Sequence, residues 1–269
     1  MTGILAQIIA ITSFGNEYLK SGTLTGFFPQ NSSFQHCDIV DFRELKKKSI
    51  FSSKKEITVS KNPMEWFEYL KSKDCKKLRL YYHTVKEEDH KMVGFVGGGG
   101  NWYIETIYST HSDFWVSRWH YDAQLTEKPW QVTYGKAIEN RPTINQQLDS
   151  IQTKGHLKTC LEKITDFAYK ETTENWGKLF ETAKNTLESE NPESNFYHND
   201  LICWKNYNLE NRQLLMSASK AFVFGGMGSW NDMGFEHKEI DKTYNELSAN
   251  LYKSMMESIT CADNRDKYE

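Results

Sequence analysis

His198 and Asp200 stand two residues apart in the polar stretch Tyr197-His198-Asn199-Asp200. A histidine titrates near neutrality and a carboxylate can orient its ring, so the pair suits proton transfer. The same residue types also suit a solvated loop, and one pair in sequence fixes no geometry. Ser229 and Asp232, in the glycine-rich run FVFGGMGSWND at 222–232, would complete a catalytic set with Ser229 as nucleophile and His198 as base. A nucleophile elbow needs glycine two residues before its serine. Met227 stands there, so G-x-S-x-G is absent. Ser229, Asn231 and Asp232 equally suit capping of a following helix. The glycines then make a turn in which Gly226 is expected to adopt a conformation closed to β-branched residues.

A second constellation is carried by alternation. In 78–84, Leu78, Leu80 and Tyr82 share one phase while Arg79, Tyr81 and His83 share the other, and successive side chains of a strand point to opposite faces. Trp115, Ser117, Trp119 and Tyr121 likewise oppose Phe114, Val116, Arg118 and His120. Arg79, Tyr81, His83, Glu105, Arg118, His120 and Thr133 are therefore expected on the sheet face away from the tryptophans. There an arginine can hold a carboxylate or phosphate and His and Glu can exchange protons. Cross-strand ion pairs on a wet outer face account for the same residues. These positions are the candidate ligand-binding set.

Other chemistries find no motif. The run VGFVGGGGNWYIE at 93–105 lacks the GK[ST] of a phosphate loop and has Trp102 at the third glycine position of a dinucleotide fingerprint. A hairpin or bulge with positive φ is the simpler reading. His36, His90, His111, His156 and His237 have no second ligand at metal-binding spacing, so neither metal nor cofactor is expected. Cys37, Cys75, Cys160, Cys203 and Cys261 are odd in number and scattered, as reduced cytosolic thiols would be. A net charge of −3 argues against a broad phosphate-neutralising surface, and no aromatic RNA-binding pattern fits the strands. The apolar run 4–11 lacks a basic leader and a cleavage site, and nothing reaches the length of a membrane span.

The elements that must position these residues follow from periodicity. Residues 4–14 suit either a buried strand or about a turn and a half of helix. Short strands are expected at 37–43 and 56–60, with the lysine- and serine-rich 46–55 as a solvated loop. Asn62-Pro63-x-Glu65 caps a helix over 63–73. Strands follow at 78–84, 91–97, 102–108, 113–121 and 130–135. Beyond Pro142 the period becomes helical, with an interruption near Gly155, a loop at 197–208, a helix over 209–221 and a long amphipathic helix from Ile240 to Ile259. The tail 263–269 is expected to fray.

Residues 1–269 thus read as one α+β domain: an antiparallel, Trp-rich β-meander in the N-terminal half packed against a helical C-terminal half. The function that fits is a soluble cytoplasmic module binding an unidentified small molecule or protein, with no nucleic acid, membrane or cofactor. The alternative is a metal-independent hydrolase or transferase built from His198 and the second glycine loop.

Overall fold

The computed structural model describes residues 1–47, 54–85, 88–95, 98–143 and 148–264. Its first element is a helix, α1 (Gly3–Ser21), capped by the Thr2 hydroxyl, which accepts from the Leu5 N–H, and closed by Gly22 at φ 81°. The turn and a half allowed by the sequence is a 19-residue helix. Leu5 to Ser13 are buried in succession, because the sheet lies on one side and the C-terminal helices on the other. A helix covered all round loses its amphipathic period, which is why the run looked equally like a strand.

The six strands are β1 (Cys37–Lys47), β2 (Lys54–Ser60), β3 (Lys77–His83), β4 (Asn101–Ile107), β5 (Ser112–Tyr121) and β6 (Trp130–Arg141). They form one mixed sheet in the order β2-β1-β6-β5-β4-β3. β3 to β6 run antiparallel in sequence order, but β1 lies parallel to β6, so the order is not a simple meander. Two strand assignments shift. Lys46, Lys47, Lys54 and Lys55, expected in a loop, are strand residues paired across β1 and β2, and the rest of that loop lies outside the described residues. The strand expected at 91–97 is the single turn α3 (Asp89–Met92) followed by a bend, with 96 and 97 outside the described residues.

Helix α2 (Pro63–Ser72) starts as its sequence requires: Asn62 accepts from the Glu65 N–H and Glu65 accepts from the Lys61 N–H at 2.8 Å. It lays Trp66 against the sheet, stacked on Phe42 at 4.3 Å and edge-on to Trp115 at 5.3 Å. Tyr134 stacks on the other side of Phe42 and donates its hydroxyl to Gln7 of α1. The remaining helices are α4 (Ser150–Glu171), α5 (Glu174–Thr186), α6 (Leu209–Lys220) and α7 (Lys238–Asn264). α4 runs through Gly155 without a break. α7 buries Tyr244, Leu251, Met255 and Ile259 and continues past the expected frayed start, with Asp263 buried; 265–269 lie outside the described residues.

The outer edge of β3 is sealed by side chains. Asn16 of α1 donates to the Leu78 carbonyl and accepts its N–H, at 2.9 and 2.7 Å. Asn264 of α7 does the same for Leu80, at 2.8 and 2.7 Å. An exposed strand edge invites pairing with other chains; two asparagine amides stand here in place of a seventh strand. No helix among the described residues is long and apolar enough to cross a membrane.

Candidate functional site

Register places the candidate set on one face. Arg79 stands opposite Glu105, and Glu105 opposite Phe114; Arg118 stands opposite Thr133, and Thr133 opposite Asp41. The other phase of these strands supplies Leu78, Leu80, Ile104, Trp115 and Tyr134, all buried beneath the helices. Two clusters result. In the first, the Arg79 guanidinium grips one oxygen of the fully buried Glu105 through Nε at 2.8 Å and Nη2 at 2.7 Å. Tyr81 meets Phe114 edge-on at 5.6 Å and Tyr103 at 6.1 Å. In the second, Arg118 reaches Glu56 at 2.7 Å, Arg43 holds Asp41 at 2.6 Å, and Thr133 donates to Asp41 at 2.7 Å. His83 and His120 are exposed and make no hydrogen bond or ion pair among the described residues. Ile39, Leu45 and Ile138 share this face and stay well exposed, at 41, 39 and 37%.

The structure brings His198 and Asp200 together around a third residue, Ser32, at the start of a 3-10 turn (Ser32–Phe34). Asp200 accepts from the Ser32 N–H at 2.6 Å and from the Ser32 hydroxyl. With that proton committed to the carboxylate, the 2.6 Å contact between Ser32 Oγ and His198 Nδ1 assigns a ring N–H to Nδ1. The lone pair then sits on Nε2. Burial pulls His198 below the ordinary histidine value, only partly opposed by the Asp200 charge, which favours the neutral ring. Asp200 therefore orients the imidazole through a serine 166 residues away in sequence.

Ser229 and Asp232 do different work. Ser229 caps a 3-10 turn (Trp230–Asp232) by accepting from the Asn231 N–H, and Asp232 accepts from the Gly228 N–H. Asn231 ties the turn to the His90 carbonyl at 2.9 Å, while Trp230 is buried and donates to Ser248 of α7. No hydrogen bond, ion pair or ring contact among the described residues joins Ser229 or Asp232 to His198 or Asp200. The positive φ falls on Gly228 (82°) rather than on Gly226, around which a Cβ would meet nothing. The two glycine runs, read separately from sequence, touch each other: a Cβ on Gly94 would lie 2.5 Å from the Gly225 carbonyl oxygen. Gly99, at φ 83°, offers its carbonyl to the Tyr252 and Tyr82 hydroxyls.

Sequence reasoning missed a buried charge cluster on the helix-covered side. Lys136 of β6 lies between Glu44 of β1 at 2.7 Å and Asp113 of β5 at 2.9 Å, its ammonium 5.3 Å from the centre of the Trp115 ring. Tyr69 donates its hydroxyl to Glu44, and the Asn140 N–H donates to Asp113. Burial alone would lower the Lys136 pKa; the hydrogen bonds and charges of its two carboxylates outweigh it and leave it raised. Burial and the bond to Glu44 push the Tyr69 phenol up. Lys136 and Asp113 sit on the apolar phase of their strands, in step with Tyr134 and Trp115, and that was the readable signal.

No group of three or more His, Cys, Asp or Glu able to hold a metal occurs among the described residues. No protein-family model, curated protein or solved structure matches the chain.

Proposed function

We propose that the chain is a protein-binding module that docks its partner on the sheet face opposite the helices. The observation that carries this reading is the composition of that face. Tyr81, Tyr103 and Phe114 form an aromatic ledge, three aliphatic side chains stay exposed on the same face, and among the described residues its ring contacts and ion pairs run within the sheet. Aromatics, aliphatics and arginine are what the centre of a protein interface is made of. Nucleic acid is disfavoured because Arg43, Arg79 and Arg118 are matched by Asp41, Glu56 and Glu105, leaving little positive field to attract phosphates. Five free thiols support a reducing, cytoplasmic setting.

Tyr81→Ala and Ile138→Asp test the reading, with Ile151→Asp on α4, which is 78% exposed in the wild type, as a control. A partner co-purified by the wild type and the control, and lost by both face variants at unchanged melting temperature, supports it. A partner retained by the face variants, or none at all, refutes it.

A second reading has one observation behind it: the Asp200–Ser32–His198 relay leaves Nε2 as a surface base for hydrolase or transferase chemistry. Turnover of p-nitrophenyl acetate that disappears in His198→Ala and falls in Ser32→Ala, with folding intact, would favour it over the first.

A further inference from the structure

β1 and β6 pair in parallel only from Cys37 to Arg43 and from Trp130 to Gly135. Beyond that point they part. Among the described residues, β1 runs on to Lys47 with β2 as its only strand partner, and β6 runs on to Arg141 with β5 as its only strand partner. The sheet therefore forks in its middle. The crotch is pinned by Lys136, which reaches Glu44 on one arm and Asp113 on the strand beyond the other. Above it opens a cavity of about 340 Å³ lined by Leu45 and by residues 136–141, within the range of roughly 300–1,000 Å³ that ligand sites occupy.

We propose that this fork is a docking slot for an extended peptide segment of a partner protein, taken up by backbone pairing. Its walls are two strand edges that face each other without a strand between them among the described residues. The β6 arm offers about 13 Å of edge from Lys136 to Glu139 at the usual strand rise, ending at Asn140, whose φ is 54°. Adding a strand to such an edge is an established mode of peptide capture, with backbone bonds giving affinity and alternate side chains giving selectivity. The contrast with β3 strengthens the argument. The outer edge, where chance pairing threatens, is closed by Asn16 and Asn264, whereas the inner edges of the fork carry no such seal among the described residues.

The lining narrows the occupant. Leu45 and Ile138, both exposed, flank the slot and select an aliphatic side chain on the incoming segment. The Lys136 ammonium is already held by two carboxylates. Arg141 has no ion-pair partner among the described residues and favours one carboxylate on the occupant. Glu139 on the same wall disfavours an acidic run. The slot shares Leu45 and Ile138 with the face proposed above but recognises backbone, and Tyr81, which does not line it, separates the two by experiment.

The probe is a fluorescein-labelled hexapeptide alternating valine and threonine with a free C-terminal carboxylate, titrated against the full chain by fluorescence anisotropy. Two companions carry an amidated end and a central proline. Saturable binding is expected, about tenfold weaker for the proline peptide because ladder bonds are lost. Amidation should weaken binding to the wild type but not to Arg141→Ala. Hydrogen exchange should slow in 136–141 and 44–45 on binding, and Leu45→Trp should block it. Tyr81→Ala should leave it unchanged even if it abolishes the partner docking proposed for the open face. Absence of saturable binding, indifference to proline, or loss of binding in Tyr81→Ala would overturn the slot.

Discussion

Lys136→Met puts the central charge cluster to the sharpest test. The Lys136 side chain is only 12% exposed and those of its partners Glu44 and Asp113 9 and 7%, so water compensates little for its removal. Taking one partner out of a buried ionic cluster costs about 3–5 kcal/mol, because the opposing charges stay buried without a counter-charge. Glu44 keeps the Tyr69 hydroxyl and Asp113 keeps the Asn140 N–H, which places the expected loss at the lower end, about 3 kcal/mol. In a chain of this length each kcal/mol shifts the melting temperature by about 2–4 °C, so the variant should melt about 6–12 °C lower.

Calorimetry and urea unfolding of the wild type, of Lys136→Met, and of a triple variant that adds Glu44→Gln and Asp113→Asn separate the causes. Replacing the whole cluster by neutral groups of similar volume should restore stability to within about 1–2 kcal/mol of the wild type. The pH dependence has a definite sign. The folded pKa of Lys136 is raised above the ordinary 10.5, so its contribution is complete below 10.5 and disappears as the pH climbs through the folded value. The gap between wild type and Lys136→Met should therefore hold at neutral pH and close in strong alkali. A loss under about 1 kcal/mol, the worth of an exposed pair, or a triple variant as unstable as the single one, would refute the reasoning.

Asn62→Ala should cost about 0.5–2 kcal/mol in urea unfolding through loss of the α2 cap. Asp263 is buried, and among the described residues one of its oxygens has no hydrogen-bond partner. Burial lifts its pKa from 3.8 to about 7 against the opposing Tyr207 hydrogen bond. The folded state thus holds the proton longer than the unfolded one, so stability should fall as the pH rises from about 4 to 7, and Asp263→Asn should flatten that slope. Gly94→Ala should destabilise far more than Ser229→Ala, because a Cβ there runs into the Gly225 carbonyl, whereas Ser229 is one cap of a short turn. Thiol titration under denaturing, non-reducing conditions should recover all five cysteines.

What the sequence showed of the fold depended on where each element sits. Strands with one buried face carried their period openly, so the phases of 78–84 and 113–121 placed Arg79, Tyr81, Arg118 and His120 on the face the register gives them. The α2 start was legible because capping is local. α1 was not: it is covered on all sides, and uniform burial erases the period that separates helix from strand. The strand expected at 91–97, ahead of the glycine-rich bend, is in its described residues the end of one helical turn and a bend. Gly155 lies in α4 with nothing near it for a Cβ to strike, so the flexibility that suggested a break goes unused.

The sites divide along the same line. His198 and Asp200 are close because they are two residues apart, yet the residue that joins them is Ser32, which no local pattern connects to the loop. Lys136 and Asp113 announced themselves as charges on an apolar phase, and a buried charge needs a partner. Asp113 could have been guessed as that partner from the antiparallel pairing of β5 and β6. Glu44 could not, because it arrives through the parallel return of β1 along β6, a non-local choice that also creates the fork. Alternation tells which side of a strand a residue occupies; only the strand order tells what it finds there.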